Sequence, residues 1–216
     1  MLQAVIFDLD GVIVSTDEYH FRAWQELARF LNLPFSREDN GRQRGVSRME
    51  SLEVVLEKSS YSYSEEEKLY LADKKNSLYR ELLNDLSPDE ILPGAMEFAE
   101  AARKAGLKVA IGSSSRNTPF ILKKIGLADY FDAVADGNDI SRSKPDPEVF
   151  LIAAQRLDIA CEHCLVVEDA DAGVEAAKGG KMYALAVGAA SGHRKADLSA
   201  DSLAEIDLET VRNRLK

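Results

Sequence analysis

Short apolar runs recur along this chain, and four of them are followed by polar clusters, a pattern that restricts the possible folds more than any other feature. The first run spans residues 2–9 and ends in Phe7-Asp8-Leu9-Asp10-Gly11. Others follow at 107–111, 133–135, 165–167 and, more weakly, 183–187. Between them lie helical periodicities: Phe98, Ala99, Ala102 and Ala105; Phe120, Ile121, Leu122 and Ile125; Val149, Ile152, Ala153 and Leu157. Apolar residues at that spacing line one face of a helix. Buried strands alternating with helices predict an α/β fold, a parallel sheet with helices on both faces.

One segment breaks the alternation. Between the first and second strands, Phe21, Trp24, Leu27, Ala28 and Leu31 step at helical spacing, then Met49, Leu52, Val55 and Leu56, then Leu69, Ala72, Tyr79 and Leu82. Three consecutive helices there predict a helical domain over residues 15–87, inserted into a core made of 1–14 and 88–216. Ser87-Pro88-Asp89 and Pro93-Gly94 mark the return to the core. The tail from Asp197 reads as a last strand or helix without chemistry.

Bulk properties exclude several classes of function. A net charge of −10 over 216 residues, with no basic stripe, argues against nucleic acid as a partner. No run approaches the roughly 20 apolar residues that span a bilayer. Val5-Ile6-Phe7 is too short and too early for a signal peptide, so a cytoplasmic protein without a membrane partner is expected. Cys161 and Cys164 have C-x-x-C spacing but no companion cluster to complete a zinc site. They read as thiols at a helix-to-strand turn, with a redox pair as the lesser alternative.

The chemistry lies where the runs end. Asp8 and Asp10 close the first, Ser113, Ser114 and Ser115 the second, and Glu168 and Asp169 the fourth, while Lys144 follows the third after a loop. Ligands of open parallel sheets bind at the carboxyl ends of the strands, so these clusters should converge on one crevice. Two carboxylates about 4 Å apart repel by roughly 4 kcal/mol at an effective dielectric near 20. A cluster of four therefore calls for a cation, and oxygen ligands without His or Cys favour magnesium. Residues i and i+2 of a strand face the same way, which sets Asp8 and Asp10 toward one reacting phosphorus. One carboxylate can act as covalent nucleophile and the other as general acid and base. Ser113 and Lys144 can hold the phosphoryl oxygens.

These four patterns, Phe7-Asp8-Leu9-Asp10-Gly11-Val12, Ile111-Gly112-Ser113-Ser114, Lys144-Pro145-Asp146-Pro147 and Val167-Glu168-Asp169-Ala170, resemble the motifs of the haloacid dehalogenase superfamily, in its order. The resemblance covers nearly the whole chain and implies a Rossmann-like core with a helical cap after the first strand. Thr16 to Trp24, Arg44-Gly45-Val46-Ser47-Arg48 with Glu50-Ser51-Leu52, Lys75-Asn76, and Ser113 to Asn117 resemble the β-phosphoglucomutase-like subfamily. That subfamily interconverts β-glucose 1-phosphate and glucose 6-phosphate through a bound bisphosphate, so a sugar phosphate is the implied partner.

By that resemblance Asp8 is the nucleophile and Asp10 the acid and base, with Ser113, Lys144, His20 and Thr16 also in the catalytic set. Asp8, the Asp10 carbonyl, Glu168 and Asp169 surround magnesium. Gly45, Arg48, Ser51, Trp24, Lys75, Ser114, Ser115, Arg116 and Asn117 form the substrate-binding set. Within it Arg48, Ser115, Arg116 and Asn117 hold the non-transferring phosphate, while His20 and Lys75 couple cap closure to Asp10. Several of these residues also have plain structural readings. Trp24 fits a helical core, and Ser115 and Asn117 could cap the helix near Pro119. Arg44 and Arg116 stand where the subfamily usually has lysine. A phosphatase of the same superfamily, acting on small phosphorylated metabolites, is the alternative reading. A monomer is the expected state.

Overall fold

The computed structural model describes residues 1–215; Lys216, the end of the expected tail, lies outside the described residues. The chain divides into two compact units, Thr16–Leu86 and the remainder, Met1–Ser15 with the chain from Ser87 onward.

The smaller unit is helical: α1 (Asp17–Phe30), α2 (Arg37–Gly41), α3 (Arg48–Leu56) and α4 (Glu65–Leu82). Its core joins Trp24, Leu27 and Ala28 of α1, Leu52, Val55 and Leu56 of α3, and Leu71 and Ala72 of α4. Three of its helices begin with reciprocal caps. Ser36, Ser47 and Ser64 each accept from the backbone N–H three residues on, and Asp39, Glu50 and Glu67 accept the cap N–H in return. Each such box satisfies two donors that the first helical turn otherwise leaves orphaned. The unit therefore has four helices where three were expected. The fourth, α2, is Arg37-Glu38-Asp39-Asn40-Gly41, with no apolar residue to show a period, and its cap box is what starts it. Asn40 ties it to α1 by donating to Asp17 at 2.9 Å. Burial would raise the Asp39 carboxyl, but Lys58 at 2.5 Å and the Ser36 donors outweigh it and hold the group at about 2.

The larger unit carries a six-stranded parallel sheet. Its strands are β1 (Ala4–Phe7), β2 (Lys108–Gly112), β3 (Ala133–Ala135), β4 (Cys164–Glu168), β5 (Tyr183–Ala186) and β6 (Leu198–Ser199), in the order β3-β2-β1-β4-β5-β6. The helices are α5 (Ala95–Lys104), α6 (Thr118–Lys124), α7 (Glu148–Leu157), α8 (Asp171–Gly179) and α9 (Leu208–Arg214). Both faces of the sheet are covered, which explains why its strands read as continuous apolar runs. Ala4, Ile6, Ala110, Val166 and Ala184 pack with Val149, Phe150 and Ala153 of α7 and Val174 and Ala177 of α8. Alternate residues serve the other face, where Phe7 meets Phe98 of α5 edge to face, ring centroids 6.2 Å apart. The tail holds both β6 and α9, where a single element was expected. Among the described residues no helix is long and apolar enough to cross a membrane.

Candidate active site

Strand register places the chemistry. Phe7 at the end of β1 lies opposite Ile111 of β2 on one side and Val167 of β4 on the other. Asp8 just past β1, Gly112 with Ser113 at the end of β2, and Glu168, the last residue of β4, therefore stand at one level of the sheet's carboxyl edge. Asp8 N–H still donates to Val167 at 2.9 Å, and Ser113 N–H to Ala135 at 3.0 Å. After Asp8 the chain turns tightly: Gly11 N–H donates to Val14, and Ile13 and Val14 donate to Leu9. Gly11 has a φ of 87°, and a Cβ there would stand 2.1 Å from a carboxylate oxygen of Asp169. Only glycine satisfies both the conformation and the space.

Lys144 reaches this edge from the loop between β3 and α7. That loop is folded by Glu148, whose carboxylate accepts from Ser141 and from Arg142 N–H at 2.7 Å. The ammonium of Lys144, 2% exposed, contacts Asp8 at 2.5 Å and Glu168 at 2.8 Å and sits 4.7 Å from the centre of the Phe150 ring. Burial pushes the Asp8 carboxyl above the ordinary carboxylate range despite the contact with Lys144. Burial also raises Glu168, to about 8, with Asp8 and Asp169 adding to the rise against Lys144. Burial would lower Lys144, but Asp8 and Glu168 outweigh it and keep the side chain a cation.

Carboxylate oxygens of Asp8, Glu168 and Asp169 lie within 4.8 Å of one another. With all three carboxylates ionised, the one ammonium of Lys144 leaves two negative charges, which a divalent ion would balance. The backbone is shaped around the carboxylates: a Cβ on Gly173 would stand 2.0 Å from Glu168, as one on Gly11 would from Asp169. All donors are oxygens, as magnesium requires, so these residues fit that ion. The side chain of Asp10 is outside this group of three.

The metal-free protein is expected to lose stability as pH rises. Glu168 binds its proton more tightly folded than unfolded, so its contribution is complete below about 4.5 and fades as pH passes about 8. Melting scans without metal should give a lower Tm at pH 8 than at pH 5.5, and magnesium should raise Tm more at pH 8. Equal magnesium shifts at both values would contradict this charge balance.

The loop after β2 is folded on its own hydroxyls. Ser115 N–H donates to Ser113 Oγ at 3.1 Å and Asn117 N–H to Ser115 Oγ at 3.2 Å. Ser114 Oγ is buried without a hydrogen-bond partner. Asn117 occupies the cap position of α6, yet its side chain makes no cap hydrogen bond, contrary to the capping role allowed for it.

In the helical unit His20 and Lys75 do meet: Lys75 Nζ lies 2.8 Å from His20 Nδ1, and the His20 ring lies against Tyr79 with centroids 4.1 Å apart. Enclosure and then the positive charges of Lys75 and Arg48 hold His20 well below its ordinary value, so it is the neutral acceptor of the ammonium. Arg48, the first residue of α3, donates to Asn76 of α4 at 2.9 Å. Gly45 has a φ of 72°. Thr16 is buried at the cap position of α1, and Ser51 is buried on α3, its carbonyl accepting from Gln43. Trp24, assigned to substrate binding, lies in the helical core. It is 1% exposed and has Lys75 Nζ 4.5 Å from its ring centre. The cysteines stand apart from all of this, with burial pushing the Cys164 thiol up to about 12.

Two contributors to the core site escaped the sequence reading. Phe150 is one, since an aromatic on a helix face reads as core packing. The turn after β3 is the other; only its Asp136-Gly137-Asn138-Asp139 composition marks it, as a turn and not as a partner of the Ser115 loop.

The sequence profile of haloacid dehalogenase-like hydrolases matches residues 2–180, and the chain belongs to that family. A β-phosphoglucomutase of Bacillus subtilis is 40% identical over 212 residues, 97% of this chain and 94% of that one. The crystal structure of a β-phosphoglucomutase from Clostridium difficile superposes with a TM-score of 0.93 at 36% identity, covering 100% of this chain and 97% of that one. A phosphorylated carbohydrates phosphatase of Thermotoga maritima is 31% identical over 100% of this chain and 99% of its own.

Proposed function

We propose that this chain interconverts β-D-glucose 1-phosphate and glucose 6-phosphate as a β-phosphoglucomutase, with Asp8 as the carrier of the phosphoryl group. The observation that carries the reading is the buried Asp8 carboxylate at the sheet edge, 2.5 Å from Lys144, in a chain whose Bacillus subtilis relative has that activity. An Asp8 oxygen attacks phosphorus of the β-glucose 1,6-bisphosphate intermediate; the O–P bond to the enzyme forms as the bond to the sugar oxygen breaks. Asp10 gives that oxygen its proton, and the sugar monophosphate is released. In the reverse sense, Asp10 takes the proton of a sugar hydroxyl whose oxygen attacks the aspartyl phosphate and frees Asp8. Ser113 and Lys144 hold the phosphoryl oxygens in place. Magnesium, held by Asp8, the Asp10 carbonyl, Glu168 and Asp169, would supply electrostatic stabilisation to those oxygens when bound. Ser115, Arg116 and Asn117 hold the second phosphate in the core unit, and Arg48 binds phosphate from the helical unit.

A phosphatase is the second reading, favoured by the Thermotoga maritima relative; water then takes the place of the sugar hydroxyl. One assay separates the two. With magnesium, β-glucose 1-phosphate and a trace of the bisphosphate, glucose 6-phosphate should form fast with little free phosphate. Phosphate release without isomerisation would establish the phosphatase instead. Arg48→Ala is expected to lower isomerisation about 100-fold while slow phosphate release persists, because a lost charged contact to substrate costs on that scale. Unchanged isomerisation would remove Arg48 from the phosphate site.

A further inference from the structure

We infer that Asn138 is a positioning residue that holds the second-phosphate loop, Ser115 to Asn117, through the turn after β3. This rests on the reading of that loop given above. Three hydrogen bonds join turn and loop. Gly137 N–H donates to the Ser115 carbonyl at 3.2 Å, Arg116 Nε donates to the Gly137 carbonyl at 3.2 Å, and Asn138 Nδ2 donates to the Arg116 carbonyl at 3.1 Å. The two backbones are in close contact: a Cβ on Gly137 would stand 2.3 Å from the Ser114 carbonyl oxygen. These bonds reach across the sequence, whereas Ser115 N–H to Ser113 Oγ, Asn117 N–H to Ser115 Oγ and Thr118 Oγ1 to the Ser115 carbonyl are all local.

The turn is itself braced. Asp136 Oδ1 accepts both from Asn138 N–H at 2.7 Å and from its Nδ2 at 2.9 Å, so both protons of that amide have acceptors. Asp139 accepts from Asp136 N–H at 2.9 Å and pairs in a bidentate fork with Arg156 of α7, at 2.8 and 2.6 Å. Such a fork fixes the plane of the carboxylate and thereby the turn. With Nε committed to Gly137, the Arg116 guanidinium keeps its terminal nitrogens for a phosphate, in an orientation set by the turn. None of the turn's own side-chain contacts involves Asp8, Ser113 or Lys144, and Ser113 meets the loop only through its Oγ, which accepts from Ser115 N–H at 3.1 Å, so the turn should act on substrate grip before phosphoryl transfer to Asp8.

The test compares wild type, Asn138→Ala and Asp139→Asn on two reactions: isomerisation of β-glucose 1-phosphate, and hydrolysis of acetyl phosphate, which carries one phosphate and has no use for the second grip. Both variants should raise KM for β-glucose 1-phosphate, about tenfold for Asn138→Ala, with kcat and acetyl phosphate hydrolysis within about twofold of wild type. An unchanged KM in both variants, or a parallel loss in both reactions, would overturn the inference. Should wild type fail to isomerise, the mutase reading falls. The positioning role is then read from hydrolysis of β-glucose 1,6-bisphosphate, where a raised KM supports it and an unchanged one removes it.

Discussion

Asp8→Asn is expected to lower isomerisation about 10⁴-fold or more and to leave the folded protein at least as stable as wild type. The first half follows from chemistry: a neutral amide oxygen does not form the acyl phosphate that a carboxylate forms, and the rest of the site cannot replace that bond. The second half follows from the electrostatics. Burial raises the Asp8 carboxyl, so its negative charge is held at a cost in the folded state. Asparagine removes that charge with little change of shape, and Lys144 keeps Glu168 at 2.8 Å. Acid quenching after mixing with radiolabelled acetyl phosphate should leave one labelled aspartate in wild type and none in the variant. Label retained by Asp8→Asn would move the nucleophile elsewhere. A variant that fails to fold would contradict the charge argument and leave the kinetic one to be read from Asp8→Glu, whose longer arm misplaces the oxygen.

The sheet and the positions of its polar ends were legible because one physical signal produces both. A strand buried on two faces must be apolar nearly throughout, so the first polar residue at its end marks its carboxyl edge; Asp8, Ser113 and Glu168 were each found that way. Short elements carry no such signal. The five residues of α2 include no apolar one to mark a face and the two of β6 are too few to show an alternation, and they depend on the Ser36–Asp39 cap and on pairing with β5. Lys144 was assigned to phosphoryl oxygens from its place after the third run. Its contacts with both Asp8 and Glu168 depend on how the 141–148 loop folds around Glu148, which no spacing encodes. Asn138 was invisible for the same reason, since its partner is a carbonyl 22 residues away. Trp24 shows the converse: helical spacing placed it in the core, and there it lies, 1% exposed.

Lys144→Met should be the most destabilising single change in the core site. Methionine keeps a buried unbranched side chain but removes the charge shared by two buried carboxylates and held over the Phe150 ring. Breaking a buried pair by removing one partner costs about 3–5 kcal/mol, because the other charge is left without compensation. For a chain of this size that corresponds to a Tm lower by roughly 10 °C. The sign with pH distinguishes lost charge from lost packing. At pH 5.5 Glu168, raised to about 8, keeps its proton, and the missing ammonium matters least. As pH rises the folded protein must ionise the cluster without Lys144, so the deficit relative to wild type should widen toward pH 8. Magnesium should recover part of the Tm, since it compensates the same carboxylates, but not the turnover, since it cannot restore the Nζ contact at Asp8. A deficit of equal size at pH 5.5 and pH 8 would assign the loss to packing alone. The three carboxylates at the sheet edge would then be balanced by something other than the ammonium that lies between two of them.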